Sequence, residues 1–321
     1  MQPHIFLAPM HKFTDFPFRK AYSRVFGNII DDAVSPFIST NSGIITTKNH
    51  LFEDISIEKN KDLIPLTPQV LGNDKNQMLD FCKAIRDMGY SHINWNLGCP
   101  MPSVTRKKRG SGLFPFPEII QDVLESLFTI TTLHISLKMR LGLSSKKEIF
   151  HLLPILNQYP IEYIVLHPRP GIQRYRGNPD KVGFMETQRK CHTPLVYNGD
   201  IKSKSDLSDL GKMGISTNKI MIGRGILENP FLPFDIKGLK YPGMSLWKQF
   251  HDELFVALME ESFSPEGTIG RMKGYWKYWN AYLQTPHNII SSVLQSRTKQ
   301  SYSFATKKAF EWTELYGGIT Q

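Results

Sequence analysis

Short runs of apolar and β-branched residues recur along the first 225 positions of this chain, at 5–8, 29–34, 66–71, 92–96, 134–139, 163–167, 195–197 and 219–222. Several are apolar almost throughout, as parallel strands covered on both faces must be. Between them lie stretches whose apolar residues fall three or four positions apart. The clearest covers 74–88, with Met78, Phe81, Cys82, Ile85 and Met88 on one stripe; 117–129 and 203–213 are similar, and Pro117 suits a first helical turn. Eight such strand–helix units predict an α/β fold, the (β/α)8 TIM barrel. An open doubly wound sheet is the rival. It normally carries G-x-G-x-x-G after its first strand, and here that strand runs into Ala8-Pro9-Met10.

After Pro230 the alternation stops. Positions 231–244 are rich in proline and glycine and read as a linker, and helical patterns follow at 247–261, 268–283, 289–295 and 304–315. The expected organisation is a catalytic barrel over 1–235 and an all-α helical domain over 245–321.

Barrels place their chemistry at the C-terminal ends of the strands. Taken in order, those ends carry Pro9 and Met10, Gln69, Asn96 and Cys99, Lys138 and Arg140, His167 and Arg169, Asn198 and Asp200, then Gly223 and Arg224. Polar and charged residues gather at one rim, where a purely structural barrel has no need of them. In Asn96-Leu97-Gly98-Cys99-Pro100 a glycine lets the chain bend before the thiol and a proline fixes φ after it. A packing cysteine needs no such turn. Cys82 and Cys191 read as structural, and neither cysteines nor histidines show zinc spacing, so no metal site is expected.

Composition narrows the picture. The chain has 321 residues, 40% of them hydrophobic, and a formal net charge of +10. That charge favours a polyanionic partner. Positions 245–321 hold eight basic and seven acidic residues, so nearly all of the excess belongs to the barrel. Much of it sits in the loop Arg106, Lys107, Lys108, Arg109, just past the candidate cysteine. No run approaches the roughly 18 apolar residues of a membrane span, and the N-terminus lacks the pattern of a secretion signal. Three cysteines do not make a disulfide framework. A cytoplasmic protein, monomeric by default, is expected.

The segments Asn198-Gly199-Asp200 and Gly223-Arg224-Gly225 follow the last two strands, where glycines let backbone N–H groups approach a phosphate. Lys138 lies on a strand that otherwise reads as core, and a buried lysine is costly unless negative charge meets it.

At this point the residues resemble a known family. The ordered set Ala8-Pro9-Met10, Thr14-Asp15, Phe18-Arg19, Gln69-Val70-Leu71-Gly72, Asn96-Leu97-Gly98-Cys99-Pro100 and Gly110-Ser111-Gly112-Leu113 is similar to the dihydrouridine synthases. So are Lys138-Met139-Arg140, His167 with Arg169, Asn198-Gly199-Asp200-Ile201 and Ile222-Gly223-Arg224-Gly225. Arg271-Met272-Lys273 and Trp276 resemble that family's RNA-binding tail more loosely. The chain departs from the family at His167-Pro168-Arg169-Pro170, where a glycine and a threonine are usual, and in its unusually basic loop at 106–109.

The resemblance implies FMN as cofactor, NADPH as reductant and tRNA as partner, with the uracil 5,6 double bond reduced and Cys99 donating a proton. It implies Pro9, Met10, Gln69, Asn96, Lys138 and His167 around the flavin ring, and Asn198, Gly199, Asp200, Gly223 and Arg224 toward its phosphate. For RNA the expected contacts are Arg106, Lys107, Lys108 and Arg109, then Arg140 and Arg169, then Arg174 and Arg176, then Arg271 and Lys273. Trp276, Tyr278 and Trp279 are candidates for base stacking, although helical spacing makes them more often core. Two alternatives stand beside this reading: a flavin barrel acting on a free pyrimidine, and an RNA-binding barrel without catalysis.

Overall fold

The computed structural model describes residues 2–40, 50–261 and 264–316. Its strands are all parallel and form one sheet. The first strand is His4–Leu7. The second comprises Asp32–Val34 and Ile38–Ser39, and the third Leu66–Thr67 and Gln69–Leu71. The fourth to eighth are His92–Leu97, His134–Gly142, Ile164–Pro170, Leu195–Tyr197 and Lys219–Ile222. Proline breaks the second and third strands, at Pro36 and Pro68, because its ring removes a ladder donor. Ser35 spans the gap: its Oγ accepts from the Gln69 N–H at 3.0 Å.

The sheet closes through those broken strands. The eighth strand pairs with the first (His4↔Lys219 to Leu7↔Ile222), and the first with the second (Phe6↔Asp32). The second pairs with the third on both sides of the breaks, Ala33↔Leu66 and Ile38↔Val70. The third meets the fourth at Gln69↔Asn94, and the ladder runs on to Ile220↔Tyr197. Eight strands therefore make a ring, the predicted barrel.

Alternation along each strand sorts the residues. On the fifth strand Ile135, Leu137, Met139 and Leu141 are buried in the main apolar core with the surrounding helices. Ser136, Lys138 and Arg140 alternate with them, on the opposite face. Part of the barrel interior is apolar, with Phe6, Ala8, Val34, Tyr163, Val165, Val196 and Met221 packed together. The rest is an amide chain. Asn96 Nδ2 donates to Gln69 Oε1 (2.9 Å), Gln69 Nε2 to Asn94 Oδ1 (2.7 Å), Asn94 Nδ2 to Ser136 Oγ (2.9 Å), and Ser136 to the Ile93 carbonyl (3.1 Å). A buried polar network stabilises only when its members find partners, as these do.

The outer helices begin where the sequence signals them. Asp74 caps Lys75–Asp87 by accepting from the Gln77 N–H, and Ser203 with Asp206 forms a capping box on Lys204–Lys212. Pro117 opens Pro117–Ile130. The predicted linker at 231–244 is shorter than expected: Leu232–Lys237 is a helix with Leu232, Pro233 and Ile236 buried. Proline falls in its first turn, where no backbone donor is lost.

The tail is four helices, Met244–Glu260, Pro265–Leu283, His287–Gln295 and Lys299–Tyr316. Its core holds Trp247, Tyr275, Trp276 and Trp279, all fully buried. Trp276 and Trp279 are thus core residues, as their helical spacing suggests. Trp276 Nε1 donates to Tyr302 Oη at 3.0 Å, and the Tyr302 hydroxyl meets His251 Nε2 at 2.9 Å. The tail packs on the first helix, Phe16–Phe26, through Phe18 and Tyr22 against Phe250. Burying one such ring contributes about 1.5–3 kcal/mol. The ion pairs Lys20–Glu260 and Arg24–Glu253 at the same seam are partly exposed, worth roughly 0–1 kcal/mol each. Apolar packing fixes the tail to the barrel. Among the described residues no helix is long and apolar enough to cross a membrane.

Candidate active site

The turn that presents Cys99 is held from three sides. Asn96 Oδ1 accepts from the N–H groups of Gly98 (3.0 Å) and Cys99 (2.9 Å). Arg140 Nε donates to the Gly98 carbonyl at 3.0 Å. Ser111 donates twice to the Cys99 carbonyl, from its N–H and its hydroxyl, each at 3.1 Å. Gly110 makes that last contact possible. Its φ is +55°, and a Cβ there would lie 2.6 Å from the Cys99 oxygen. A residue other than glycine would be strained in backbone and blocked in space. The Gly110-Ser111-Gly112 motif is therefore a clasp on the thiol turn. Only its glycines hinted at this in the sequence.

Cys99 itself is half-buried. Burial pushes its thiol up, and Arg140 and Lys138, its charged neighbours, pull against that without cancelling it. The exposed cations of the basic loop are not among the groups acting on the sulfur.

Beside the turn lies an open cavity of about 550 Å³ including its mouth, lined among others by Met10, Lys138, His167, Asn198, Gly199 and Arg224. Lys138 Nζ donates to Asn198 Oδ1 at 2.9 Å, and Asn198 Nδ2 to the Met221 carbonyl at 2.8 Å. Burial, with Arg140 nearby, pushes the lysine down to about 7. His167 is driven well below its usual value by burial and by Arg140, Lys138, Arg169 and Arg224 together, so it is neutral. Arg169 Nη1 stands 2.9 Å from His167 Nε2. A guanidinium only donates, so Nε2 accepts and the ring proton sits on Nδ1.

Asp200 joins the last two loops. It meets Arg169 Nη2 at 2.5 Å and also pairs with Arg224. Burial pushes its carboxyl up, but the Arg169 hydrogen bond and charge, with Arg224, hold it below the usual range. Asp200 is the one carboxylate lining the cavity among the described residues, against Lys138 and Arg224 on its wall. Gly223 packs so closely that a Cβ would come 3.2 Å from Ala8 Cβ and 3.3 Å from Met10 Sδ. Tyr175 covers the group, 4.7 Å from Arg224, 5.5 Å from Arg140 and 6.0 Å from the His167 ring. In the sequence only its place between Arg174 and Arg176 marks it, a weak signal for the cavity.

The structure gathers Pro9, Met10, Lys138, His167, Asn198, Gly199, Asp200, Gly223 and Arg224 at one cavity. Gln69 is fully buried, with its amide oxygen and one N–H already engaged by Asn96 and Asn94. Arg106, Lys107, Lys108, Arg174 and Arg176 are exposed. Arg109 is half-buried, its Nε on Asn73 Oδ1 at 3.1 Å, and Lys273 is half-buried too.

Three cations expected at RNA are placed otherwise. Arg169 is fully buried on His167, Gly177 and Asp200, and Arg140 is 2% exposed on the carbonyls of Gly98, Pro170 and Arg174. Neither guanidinium is open to an outside phosphate. Arg271 faces the barrel, pairing with Asp15 and the Lys12 carbonyl. Alternation on the strands accounts for the first two: both point inward at the rim.

Comparison with known proteins places this arrangement. The family model described as dihydrouridine synthase matches residues 6–250. tRNA-dihydrouridine synthase B of Pasteurella multocida is 26% identical over 233 residues, covering 72% of this chain and 68% of its own. tRNA-dihydrouridine(16) synthase of Vibrio cholerae is 26% identical over 292 residues, covering 87% and 86%. Among solved structures, morphinone reductase superposes with a TM-score of 0.51 at 10% identity, over 76% of this chain and 88% of its own. Histamine dehydrogenase from Rhizobium sp. 4-9 gives 0.53 at 12%, over 81% and 49%. At such identities these two speak to the fold alone.

Proposed function

This chain belongs to the dihydrouridine synthase family, and from that premise we propose that it is an FMN-dependent tRNA-dihydrouridine synthase, drawing electrons from NADPH to reduce the 5,6 double bond of uracil in tRNA. The observation that carries the reading is the convergence, at one barrel mouth, of the half-buried Cys99 thiol with a cavity whose charged groups are mostly cationic.

The cavity residues fit a flavin phosphate. Lys138 is short of an anionic partner, its hydrogen bond going to the neutral amide of Asn198, and burial with Arg140 nearby pushes it down to about 7. A ligand anion would restore its proton. Gly223 leaves backbone where a side chain would press on Ala8 and Met10 of the wall. Lys138 and His167 would hold the isoalloxazine, with Asn96 and the remaining N–H of Gln69 toward its pyrimidine edge. Gly199, Gly223 and Arg224 would hold the phosphate, with Asn198 fixing Lys138 and Asp200 fixing Arg224. When bound and reduced, the flavin supplies the hydride that saturates C6.

Cys99 supplies the proton at C5 as general acid. Its burial keeps the thiol loaded at neutral pH. Asn96, Arg140 and Ser111 hold the turn so that the sulfur stays at the mouth. A uracil stacked in folded RNA cannot reach it, so the base must be extruded, at a cost of a few kcal/mol. Exposed Arg106, Lys107, Lys108, Arg174 and Arg176 offset that cost through phosphate contacts, with Arg109 and Lys273 beside them. The test is to purify the chain, assay bound FMN, and map dihydrouridine in total RNA with the gene deleted and restored. Protein unable to bind FMN, or an unchanged dihydrouridine map, sinks the reading.

A further inference from the structure

The turn after the first strand, residues 9–15, carries one wall of the cavity through Pro9 and Met10. It is held partly from within, the N–H groups of Phe13 and Thr14 donating to the Met10 carbonyl at 2.8 and 3.0 Å. Thr14 Oγ1 accepts from the Met10 N–H (2.8 Å) and donates to the Ala8 carbonyl (2.8 Å), which ties Met10 to Thr14. Lys12 adopts a left-handed φ of +68°, a conformation that a non-glycine residue keeps only when its surroundings impose it.

Those surroundings are side chains from elsewhere. Arg19, fully buried on the first helix, donates to the Thr14 carbonyl at 2.9 Å. Arg271 Nη2, from the tail, donates to the Lys12 carbonyl at 2.8 Å and to both oxygens of Asp15 at 2.8 Å. Tyr275 Oη, one helical turn further on, donates to the Phe13 carbonyl at 2.6 Å. The Phe13 ring sits edge-on to Tyr275 and Tyr278, with centroids 5.2 and 5.1 Å away. Gly274 lets it in: a Cβ there would be 3.1 Å from the ring. Three consecutive carbonyls, at 12, 13 and 14, are thus satisfied from outside the turn, and two of the three donors belong to the tail. The Thr14-Asp15 motif and the Arg271 motif answer each other across about 256 residues.

We propose that Arg271 and Tyr275 are positioning residues for the cofactor cavity. Docking of the helical tail locks the 9–15 turn and so sets the wall formed by Pro9 and Met10. This rests on the reading that the cavity holds a flavin, and it removes Arg271 from the RNA-contacting set. The coupling runs through the turn itself, so removing the Arg271 or Tyr275 contacts to it loosens the Pro9–Met10 wall, while the ion pairs elsewhere on the seam leave the wall as it is.

The test uses the full chain, stripped of flavin and titrated with FMN, following flavin fluorescence and the visible spectrum. Tyr275→Phe removes one hydrogen bond and keeps the ring. Arg271→Leu removes the ion pair, and Arg271→Lys keeps its charge. Lys20→Ala loosens the seam at Glu260 without touching the turn. The expected result is FMN affinity roughly tenfold weaker in Arg271→Leu and several-fold weaker in Tyr275→Phe, as loss of one charged or neutral hydrogen bond implies. The bound-flavin spectrum shifts in both, Arg271→Lys recovers part of the loss, and Lys20→Ala binds as the parent does. The salt dependence of tRNA binding stays the same in Arg271→Leu. Unchanged FMN affinity in Tyr275→Phe, or a salt slope lower by about one in Arg271→Leu, overturns the proposal and returns Arg271 to the phosphates. If the parent itself binds no FMN, the functional reading fails instead, before any variant is compared.

Discussion

The two ends of this barrel are built from the same eight strands and treat charge in opposite ways. At the N-terminal end, each carboxylate has a basic side chain or imidazole beside it. His4 meets Asp32 at 2.6 Å, Lys237 meets Asp31 at 2.8 Å, and His92 lies 3.7 Å from Glu162. A cavity of about 770 Å³ including its mouth opens there, lined by residues of both signs. At the C-terminal end, Lys138, Arg140, Arg169 and Arg224 crowd around His167, and one carboxylate, Asp200, pairs with the last two. A protein gains nothing from crowding cations in a half-dry cleft, where burial and the neighbouring Arg140 push Lys138 down to about 7. An unmatched end is one prepared for a ligand of the missing sign, whereas the matched end is finished as it stands. Side-chain chemistry tells the ends apart; fold does not.

Substitutions can break that contrast, beginning at the unmatched end. Cys99→Ala should lower uracil reduction by about 10²- to 10⁴-fold, the range for loss of a general acid, while bound FMN stays near parent levels by absorbance. The parent's rate, with flavin pre-reduced, should fall only above the ordinary thiol range, because burial raises the Cys99 pKa. A rate falling below pH 7.5 would deny the thiol its role.

Lys138→Met should weaken FMN binding by about 10²-fold, the loss of one buried charge-assisted contact. It also sharpens the comparison without any ligand. In flavin-free protein the native lysine releases its proton near 7, while in the unfolded chain it holds it to about 10.4. Between those values the unfolded state binds more protons, so this residue makes stability rise with pH, and its penalty is complete only below about 7. Denaturant midpoints from pH 7 to 10 should show the rise in the parent and lose it in Lys138→Met. Equal slopes would mean the lysine is not desolvated.

The matched end should barely respond. Asp32→Asn breaks a pair about one-third exposed on each side, worth about 0.5 kcal/mol. Turnover and FMN affinity should stay at parent values, with only a small shift of the melting temperature. A tenfold drop in activity would make the N-terminal end functional and erase the distinction.

Much of this was legible from the chain alone, for local reasons. Strand runs such as 195–197 and 219–222 coincide with the strands found, because a strand buried on both faces must be apolar along its length. Asp74, Ser203 and Pro117 announce helix starts because capping acts within three or four residues. The rim could be read too, since strand ends and the alternation of side chains follow from position within the strand.

Other features depend on partners that no local window contains. Arg140, Arg169 and Arg271 look like surface cations in a basic sequence. Their roles were settled by the carbonyl of Gly98, by Asp200 and by Asp15, which folding brings alongside them. The Ser111 clasp on Cys99 and the ring closure across Pro36 and Pro68 belong to the same class. By itself the sequence determined the secondary elements, their order, the barrel class and which rim bears the chemistry. The tertiary structure decided which charges are spent inside the protein and which remain for a ligand. Burial and pairing depend on distances between residues far apart in the chain, and those distances exist only once the chain has closed on itself.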